Sequence, residues 1–173
     1  MVTFGYVKAN VLANEYILRQ DMTNEISTTK IKADLTKDTS FEIDRKKVNV
    51  LNNAFKISNI GILEVDEEKL EQNKENTWIT VSNGNFKKQS NAIIADYNSR
   101  TNLINNIVNL AVKYNINGIN IYFEDIENVQ NLKRFLIELS PRLREVGINS
   151  NLILTTNLNE ADYAGIVDYI IEK

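Results

Sequence analysis

The sequence contains no cysteine and no histidine, and each absence excludes a class of chemistry. Without cysteine the chain forms no disulfide bond and offers no thiolate to a metal or a substrate. Without histidine it lacks the commonest metal ligand and the usual general base near neutral pH. Acid–base catalysis would therefore come from Asp, Glu, Tyr or Lys, and we expect neither a metal nor another cofactor.

The chain also lacks a long apolar run and a surplus of positive charge. No apolar stretch reaches the roughly 18 residues that span a bilayer, so we expect no membrane partner. The N-terminal MVTFGYVKANVLANEY has no basic segment followed by an apolar core, and we predict no signal peptide. The formal net charge of −3 disfavours nucleic acid as a partner, because phosphate binding needs a surplus of cations.

The 173 residues suffice for one domain with a hydrophobic core, but the patterning differs along the chain. Strand-like runs at residues 3–7 and 15–19 precede a polar stretch over residues 21–44. We interpret that stretch as a linker or irregular arm with one candidate strand at residues 40–43. The prediction is therefore a short irregular N-terminal segment, residues 1–45, followed by a patterned domain, residues 46–173.

From residue 48 onward, short apolar runs alternate with segments of helical periodicity. Long helices are predicted over residues 99–114, capped by Ser99 or Thr101, and over residues 128–146. The only proline, Pro141, predicts a kink or a restart in the second helix. A shorter helix is expected at residues 159–166, and strands are expected at residues 48–51, 60–65, 77–81, 119–123, 152–155 and 167–171.

Strands that alternate with helices of this length are typical of parallel βαβ units. The strands are short and mostly apolar, as expected when both faces of a sheet are covered. A doubly wound sheet and a (β/α) barrel share this pattern, and periodicity does not separate them. In both, functional side chains gather at the carboxyl ends of the strands.

Three strand ends carry polar candidates. Glu124 is the sharpest, because it directly follows an apolar run and its carboxylate would lie partly buried at the mouth of the sheet, where proton donation is favoured. The alternative is a surface Glu or a structural partner of a nearby lysine. The other candidates, which follow residues 77–81 and 152–155, are Ser82, Asn83, Thr156 and Asn157.

Asn120, Tyr122 and Glu124 alternate along one predicted strand and therefore share a face. Polar side chains inside an apolar α/β core are costly unless they are hydrogen-bonded or used. The row is thus either a functional site or a satisfied structural network. The acidic residues from Glu124 to Glu127 match the spacing of no metal-binding loop, so we predict no metal site there.

Residues 117–124, NGINIYFE, resemble the fourth-strand signature of family 18 glycoside hydrolases, Asp-Gly-x-Asp-x-Asp-[Trp/Phe/Ile]-Glu. The flanking RTNLINNIVNLAVKYNI and NLKRFLIELSPRLREVG are similar to the helices on either side of that strand. TWITVSN resembles the third strand, and AGIVDYII resembles the approach to the sixth. The nearest group is the peptidoglycan and spore-cortex hydrolases of spore-forming bacteria. Gly5-Tyr6-Val7 is similar to the last strand of a bacterial SH3-type wall-binding module.

The resemblance covers residues 46–173 and implies an α/β fold, a parallel (β/α) barrel of TIM type. A complete barrel needs about 250 residues, so we expect an incomplete one. Its open edge would be a template for a second copy or a complementing chain, unless residues 1–45 close the gap. The resemblance also implies a location in the cell wall, in the spore envelope or outside the cell.

In the resembled family the Glu protonates the leaving glycosidic oxygen, while the acetamido oxygen of the substrate attacks the sugar. The Asp two residues before the Glu orients that acetamido group. Glu124 matches the acid, whereas Tyr122 stands in the position of the orienting Asp. A Tyr hydroxyl can bind the amide but carries no negative charge near neutral pH, a loss that typically costs about 10²–10³ in rate.

The resemblance implies a domain related to enzymes that cleave N-acetylglucosamine-containing polymers, peptidoglycan or chitin, with weak or lost activity. Glu124 and Tyr122 would be catalytic, and the substrate-binding candidates are Asn120, Ser82, Asn83, Thr156 and Asn157. One alternative is a non-catalytic module that binds a glycan or a protein on the same scaffold. Another is an unrelated α/β domain or a structural remnant. The single Trp78 lies within a strand run, and we expect it in the core rather than on a sugar-binding surface.

Overall fold

The computed structural model describes residues 26–72 and 75–173. The N-terminal runs at residues 3–7 and 15–19, with the SH3-like match, lie outside them. Nine strands are present in the described part: β1 (Thr29–Lys32), β2 (Thr39–Ile43), β3 (Lys46–Asn52), β4 (Phe55–Ile57), β5 (Leu63–Val65), β6 (Thr77–Ser82), β7 (Gly118–Tyr122), β8 (Asn149–Ile153) and β9 (Tyr169–Glu172). The helices are α1 (Glu67–Glu71), α2 (Lys87–Ala95), α3 (Tyr97–Lys113) and α4 (Val129–Glu145), with a 3-10 turn at Glu160–Asp162.

Seven of the strands form one curled sheet in the order β1-β9-β8-β7-β6-β3-β2. The pairs from β3 through β6, β7 and β8 to β9 are all parallel. The outer strand β1 adds parallel to β9, and β2 adds antiparallel to β3. The predicted fold class, an incomplete TIM-type barrel, is confirmed. No helix of residues 26–72 and 75–173 is long and apolar enough to cross a membrane.

The two long helices form where their apolar stripes predict them, but their first and last residues differ from the predicted ones. Helix α3 begins at Tyr97 because Asp96 accepts a hydrogen bond from the Ser99 amide, so the predicted cap at Ser99 or Thr101 is wrong by a turn. Asn128 caps α4. Helix α4 runs through Pro141 as one continuous element, and the predicted restart is not found. Buried Leu139 and Leu143 flank the proline and anchor the helix across the lost backbone bond.

The described N-terminal residues differ from the predicted irregular arm, because β1 and β2 occupy the two edges of the sheet. The candidate strand at residues 40–43 is confirmed as part of β2. Its hairpin with β3 is hard to recognise in the sequence, since Asp44 and Arg45 form the turn with φ of 52° and 66°. Such turns are usually signalled by Asn-Gly or Asp-Gly. A domain boundary at residue 45 stays a prediction.

Residues 33–38, which we name the strap, connect β1 to β2 and therefore run from one edge of the sheet to the other. The strap is tied to three strands of the sheet. The Ala33 amide donates to the Glu172 carbonyl at 2.8 Å, and Thr80 Oγ1 donates to the Leu35 carbonyl at 2.5 Å. On β3, the Asn52 amide donates to an Asp38 carboxylate oxygen at 2.8 Å. The strap covers the concave side of the curled sheet.

The two faces of the sheet belong to separate hydrophobic clusters. Helices α3 and α4 pack against one face through residues such as Leu103, Ile107 and Phe135. The inner, concave face carries a smaller cluster of Leu35, Val48, Val50, Trp78, Ile153 and Ile171. Trp78 lies 5.3 Å from the Phe41 ring of β2 and 5.2 Å from the Tyr169 ring of β9, measured between centroids. Since Trp78 is only 1% exposed, its expected place in the core is confirmed.

Three further elements differ from the sequence-based expectation. The predicted strand at residues 60–65 is shorter and begins at Leu63, where it pairs with the unpredicted β4. Helix α2 was not predicted, because its apolar positions are few. The predicted helix at residues 159–166 is only the 3-10 turn that Asn159 caps.

Gly118 is required by the close approach of Trp78. A Cβ atom at position 118 would lie 2.6 Å from Trp78 Cδ1 and 2.7 Å from Nε1, and the indole is enclosed. We expect Gly118→Ala to lower the free energy of unfolding by about 1–3 kcal/mol, the usual cost of overpacking. Urea denaturation measures this loss.

Trp78→Leu is the matched control, since it removes the ring that the new methyl group would meet. The double variant should lose less stability than the sum of the two single variants. Additive losses would contradict the proposed clash.

Candidate functional site

The candidate site lies at the carboxyl ends of β6 and β7, which form one rim of the concave face. The register pairs Ser82 with Tyr122, and both lie on the same side of the sheet as Trp78. Both are half-buried. One rung deeper, Thr80 is paired with Asn120. Asn120 and Tyr122 of the predicted row therefore share a face, at different depths.

Asn120 belongs to a buried hydrogen-bond network below the rim. Its Nδ2 donates to Thr80 Oγ1 at 3.1 Å, and its Oδ1 accepts from Asn151 Nδ2 at 2.8 Å. All three side chains are fully buried. The network continues to the strap, because Thr80 donates to the Leu35 carbonyl. This position favours the structural alternative for Asn120, which ties three strands and the strap together.

Glu124 lies two residues beyond the end of β7 and presents a half-exposed carboxylate. Its side chain is 43% exposed, and its Oε1 lies 3.8 Å from Lys87 Nζ. The same lysine lies closer to Asp125, with 3.1 Å between Nζ and Oδ2. Lys87 is the first residue of α2 and was not recognised in the sequence, where nothing separates it from other surface lysines. Its presence agrees with the alternative that Glu124 has a lysine partner.

The acidic neighbours of Lys87 raise its pKa above the ordinary value. The largest cause is its hydrogen bond with Asp125, followed by the charge of that residue, and Glu124 adds a smaller contribution. Lys87 therefore stays protonated at neutral pH and keeps a positive charge beside the Glu124 carboxylate.

Three asparagine side chains hold the backbone of residues 124–127. Asn83 binds the amide and the carbonyl of Glu124, and Asn91 of α2 binds the Asp125 carbonyl and the Glu127 amide. Asn157 Nδ2 donates to the Ile126 carbonyl at 3.1 Å. The structure thus brings the predicted Asn83 and Asn157 to the loop that carries Glu124.

Thr156 is exposed next to Asn157, and the bond to the loop comes from Asn157. Lys173 reaches the rim from the end of β9. Its Nζ lies 3.5 Å from the Tyr122 hydroxyl and 5.3 Å from the centre of the Tyr122 ring. The sequence signal for Lys173 is its alternation with the inward-facing Tyr169 and Ile171. The candidate site therefore holds a cation beside the residue in the position of the family's orienting Asp.

No group of three or more Asp and Glu side chains able to hold a metal comes together within residues 26–72 and 75–173. Of the acidic residues after β7, Glu124 and Asp125 both lie near Lys87 Nζ, and the backbone amide of Glu127 is bonded to Asn91.

Solved structures with the same fold include two spore enzymes and a plant chitinase. The spore cortex-lytic enzyme SleL of Bacillus cereus matches with a TM-score of 0.59 and 23% identity, over 68% of this chain and 32% of that one. SleL of Bacillus megaterium matches with a TM-score of 0.56 and 16% identity, over 96% of this chain and 38% of that one. The class V chitinase of Nicotiana tobaccum matches with a TM-score of 0.58 and 13% identity, over 86% of this chain and 51% of that one.

The chain shares the fold of the family 18 glycoside hydrolases. It spans a third to a half of the length of the three structures described. A mutant of the Nicotiana chitinase is also known in complex with NAG4. No protein-family model matches the chain, and neither does any curated protein sequence. The resemblance inferred from residues 117–124 is thus confirmed at the level of the fold.

Replacing Asn120 tests the buried network. Asn120→Ala removes the acceptor of Asn151 Nδ2 and leaves that buried group unpaired. We expect a loss of about 1–3 kcal/mol in the free energy of unfolding, measured by urea denaturation. Asn109→Ala, at an exposed position of α3, is the control and should raise stability by at most about 0.7 kcal/mol. Equal effects of the two variants would argue against the network.

Titration of Lys87 tests the electrostatics of the rim. An NMR titration of the side-chain ammonium should give a pKa above the ordinary 10.5. Asp125→Asn should return this pKa toward its ordinary value by more than Glu124→Gln does, because Asp125 supplies the hydrogen bond and the larger charge effect. A larger effect of Glu124→Gln would mean that the Lys87–Glu124 contact dominates instead.

Proposed function

We propose that the chain is a family 18-type glycoside hydrolase domain of reduced activity that acts on N-acetylglucosamine polymers through Glu124. The observation that carries the proposal is the state of Glu124 at the end of β7. Its carboxylate is half-exposed, while its amide and carbonyl are both bonded to Asn83. An acid on a fixed backbone at a strand end suits proton donation to a bound sugar.

In the proposed reaction Glu124 donates its proton to the leaving glycosidic oxygen. The acetamido oxygen of the substrate attacks the anomeric carbon as the glycosidic bond breaks, and water later opens the resulting oxazolinium ring. The Tyr122 hydroxyl would bind the acetamido group beside Ser82. Because Tyr122 is uncharged and Lys173 lies next to it, the cationic intermediate gains little stabilisation there, and the reaction would be slow.

The substrate class rests on the structures with the same fold. Two of them are spore cortex-lytic enzymes, and a mutant of the Nicotiana chitinase is known in complex with NAG4. A polysaccharide that contains N-acetylglucosamine, peptidoglycan or chitin, is the partner we propose, in a cell wall or a spore envelope. Among the strands of residues 26–72 and 75–173, β1 and β2 each pair with a single neighbour in the sheet, so a second copy or a complementing chain is a further proposed partner.

The second candidate is a non-catalytic glycan-binding module at the same rim. It is favoured by the two lysines, since Lys87 lies beside the proposed acid and Lys173 lies beside Tyr122. A positive charge beside Tyr122 repels a cationic reaction intermediate, whereas a neutral sugar is not repelled. Such a site could hold a sugar without cleaving it.

Hydrolysis of N-acetylglucosamine oligomers and muropeptides, followed by mass spectrometry, separates the two candidates. We expect slow cleavage by the wild type, loss of cleavage in Glu124→Gln, and an increase in Tyr122→Asp of up to about 10² from the restored negative charge. Glu127→Gln is the matched control, because it removes a neighbouring exposed carboxylate from the same loop.

The enzyme proposal is overturned if neither the wild type nor Tyr122→Asp cleaves any oligomer while both are shown to be folded. Binding of the same oligomers without cleavage, abolished by Glu124→Gln but not by Glu127→Gln, would then support the binding module.

A further inference from the structure

Glu124 lies two residues beyond the last regular pair of β6 with β7. The last pair in the register joins Ser82 to Tyr122, and the last backbone bond runs from the Asn83 amide to the Tyr122 carbonyl at 3.4 Å. No further backbone rung between these strands reaches residue 124 among the described residues. Ordinary strand pairing therefore does not fix the residue that carries the proposed acid.

Beyond the last backbone bond between β6 and β7, the side chain of Asn83 bonds to the backbone of Glu124. Its Oδ1 accepts from the Glu124 amide at 2.9 Å, and its Nδ2 donates to the Glu124 carbonyl at 2.7 Å. A carboxamide offers the same acceptor and donor as a peptide group, so it can extend a strand ladder by one rung. Because both bonds go to one residue, they fix the orientation of its backbone and hence the direction of its side chain.

Asn83 is itself held firmly. It is only 1% exposed, and its Nδ2 also donates to Ser90 Oγ at 3.1 Å. Ser90 is fully buried and donates in turn to the Lys87 carbonyl at 2.9 Å. The carbonyl of Asn83 accepts from the Phe86 amide at 2.8 Å, which closes the turn into α2. The Asn83 side chain that binds Glu124 is therefore held by the first turn of α2.

Asn91 provides a natural comparison within the same loop. It also makes two bonds to the loop backbone, both at 2.9 Å, but to the Asp125 carbonyl and the Glu127 amide. It is half-buried rather than buried. The two asparagines thus fasten the same loop at different residues, and only Asn83 touches residue 124.

We propose that Asn83 is the positioning residue of Glu124, which rests on the proposed function of Glu124 as proton donor. The sequence suggested a substrate-binding role for Asn83, but its buried amide has both polar atoms engaged by the protein. Asn83 acts through the backbone of Glu124 and not on the substrate. Misplacement of a catalytic group by about 1 Å can lower a rate by roughly 10².

Steady-state hydrolysis of N-acetylglucosamine oligomers tests this role in the full chain. Asn83→Ala should lower kcat by about 10- to 100-fold with KM changed less than about twofold, since substrate contacts are left in place. Asn91→Ala should lower kcat by less than about threefold. Asn83→Asp keeps the acceptor for the Glu124 amide and loses the donor, so its kcat should lie between those of the wild type and Asn83→Ala.

Amide hydrogen exchange shows whether each variant is folded and where the loop has loosened. Exchange at the Glu124 amide should speed up in Asn83→Ala and not in Asn91→Ala. Equal loss of kcat in the two alanine variants, or a rise in KM with kcat unchanged in Asn83→Ala, overturns the positioning role. If Asn83→Ala fails to fold, Asn83→Asp decides, and a kcat equal to that of the wild type refutes the proposal.

Failure of the proposed function has a different signature. In that case the wild type shows no cleavage that Glu124→Gln abolishes, and the positioning role falls with it. When cleavage depends on Glu124 but not on Asn83, only the positioning role is refuted.

Discussion

The concave face of the curled sheet must be covered, and the way in which Trp78 and the strap cover it determines the rest of the structure. A complete barrel fills its interior with layers of side chains from all of its strands. Here Trp78 lies over Gly118 and reaches rings on both β2 and β9. The strap adds Leu35, fully buried in the same cluster. The indole of Trp78 and the strap thus fill the concave side of the sheet, which side chains from all of the strands fill in a full barrel.

Filling the interior in this way limits where a ligand can bind. The strap is bonded to Thr80, and Thr80 to Asn120, so the space below this layer is occupied by protein. Among the described residues, Tyr122 and Glu124 at the rim above it are partly exposed. A sugar would therefore contact a shallow rim rather than enter a deep barrel, which agrees with a domain of weak activity or with a binding module.

The sequence predicts what depends on local pattern. The stripes of α3 and α4, the apolar strands and the placement of Glu124 after a strand all follow from short-range periodicity. Short-range periodicity does not predict contacts between segments that are distant in the sequence. These contacts include the strap, the positions of Lys87 and Lys173, and the bonds from Asn83 to Glu124. Asn83 and Glu124 are 41 positions apart, and Tyr122 and Lys173 are 51 apart. A two-residue turn without glycine also concealed the hairpin of β2 and β3.

At the rim, the geometry favours proton donation by Glu124, whereas the neighbouring charges disfavour catalysis. The backbone of Glu124 is fixed by a buried amide that makes two bonds to it, an arrangement that positions a proton donor well. The charges beside it are unfavourable, since Lys87 Nζ lies 3.8 Å from the carboxylate and Lys173 lies beside Tyr122, which stands where the resembled family has an Asp. Positioning and electrostatic stabilisation contribute separately to catalysis. A site that keeps the first and lacks the second should still orient a sugar while cleaving it slowly, so substitutions that change charge should affect its rate more than its affinity.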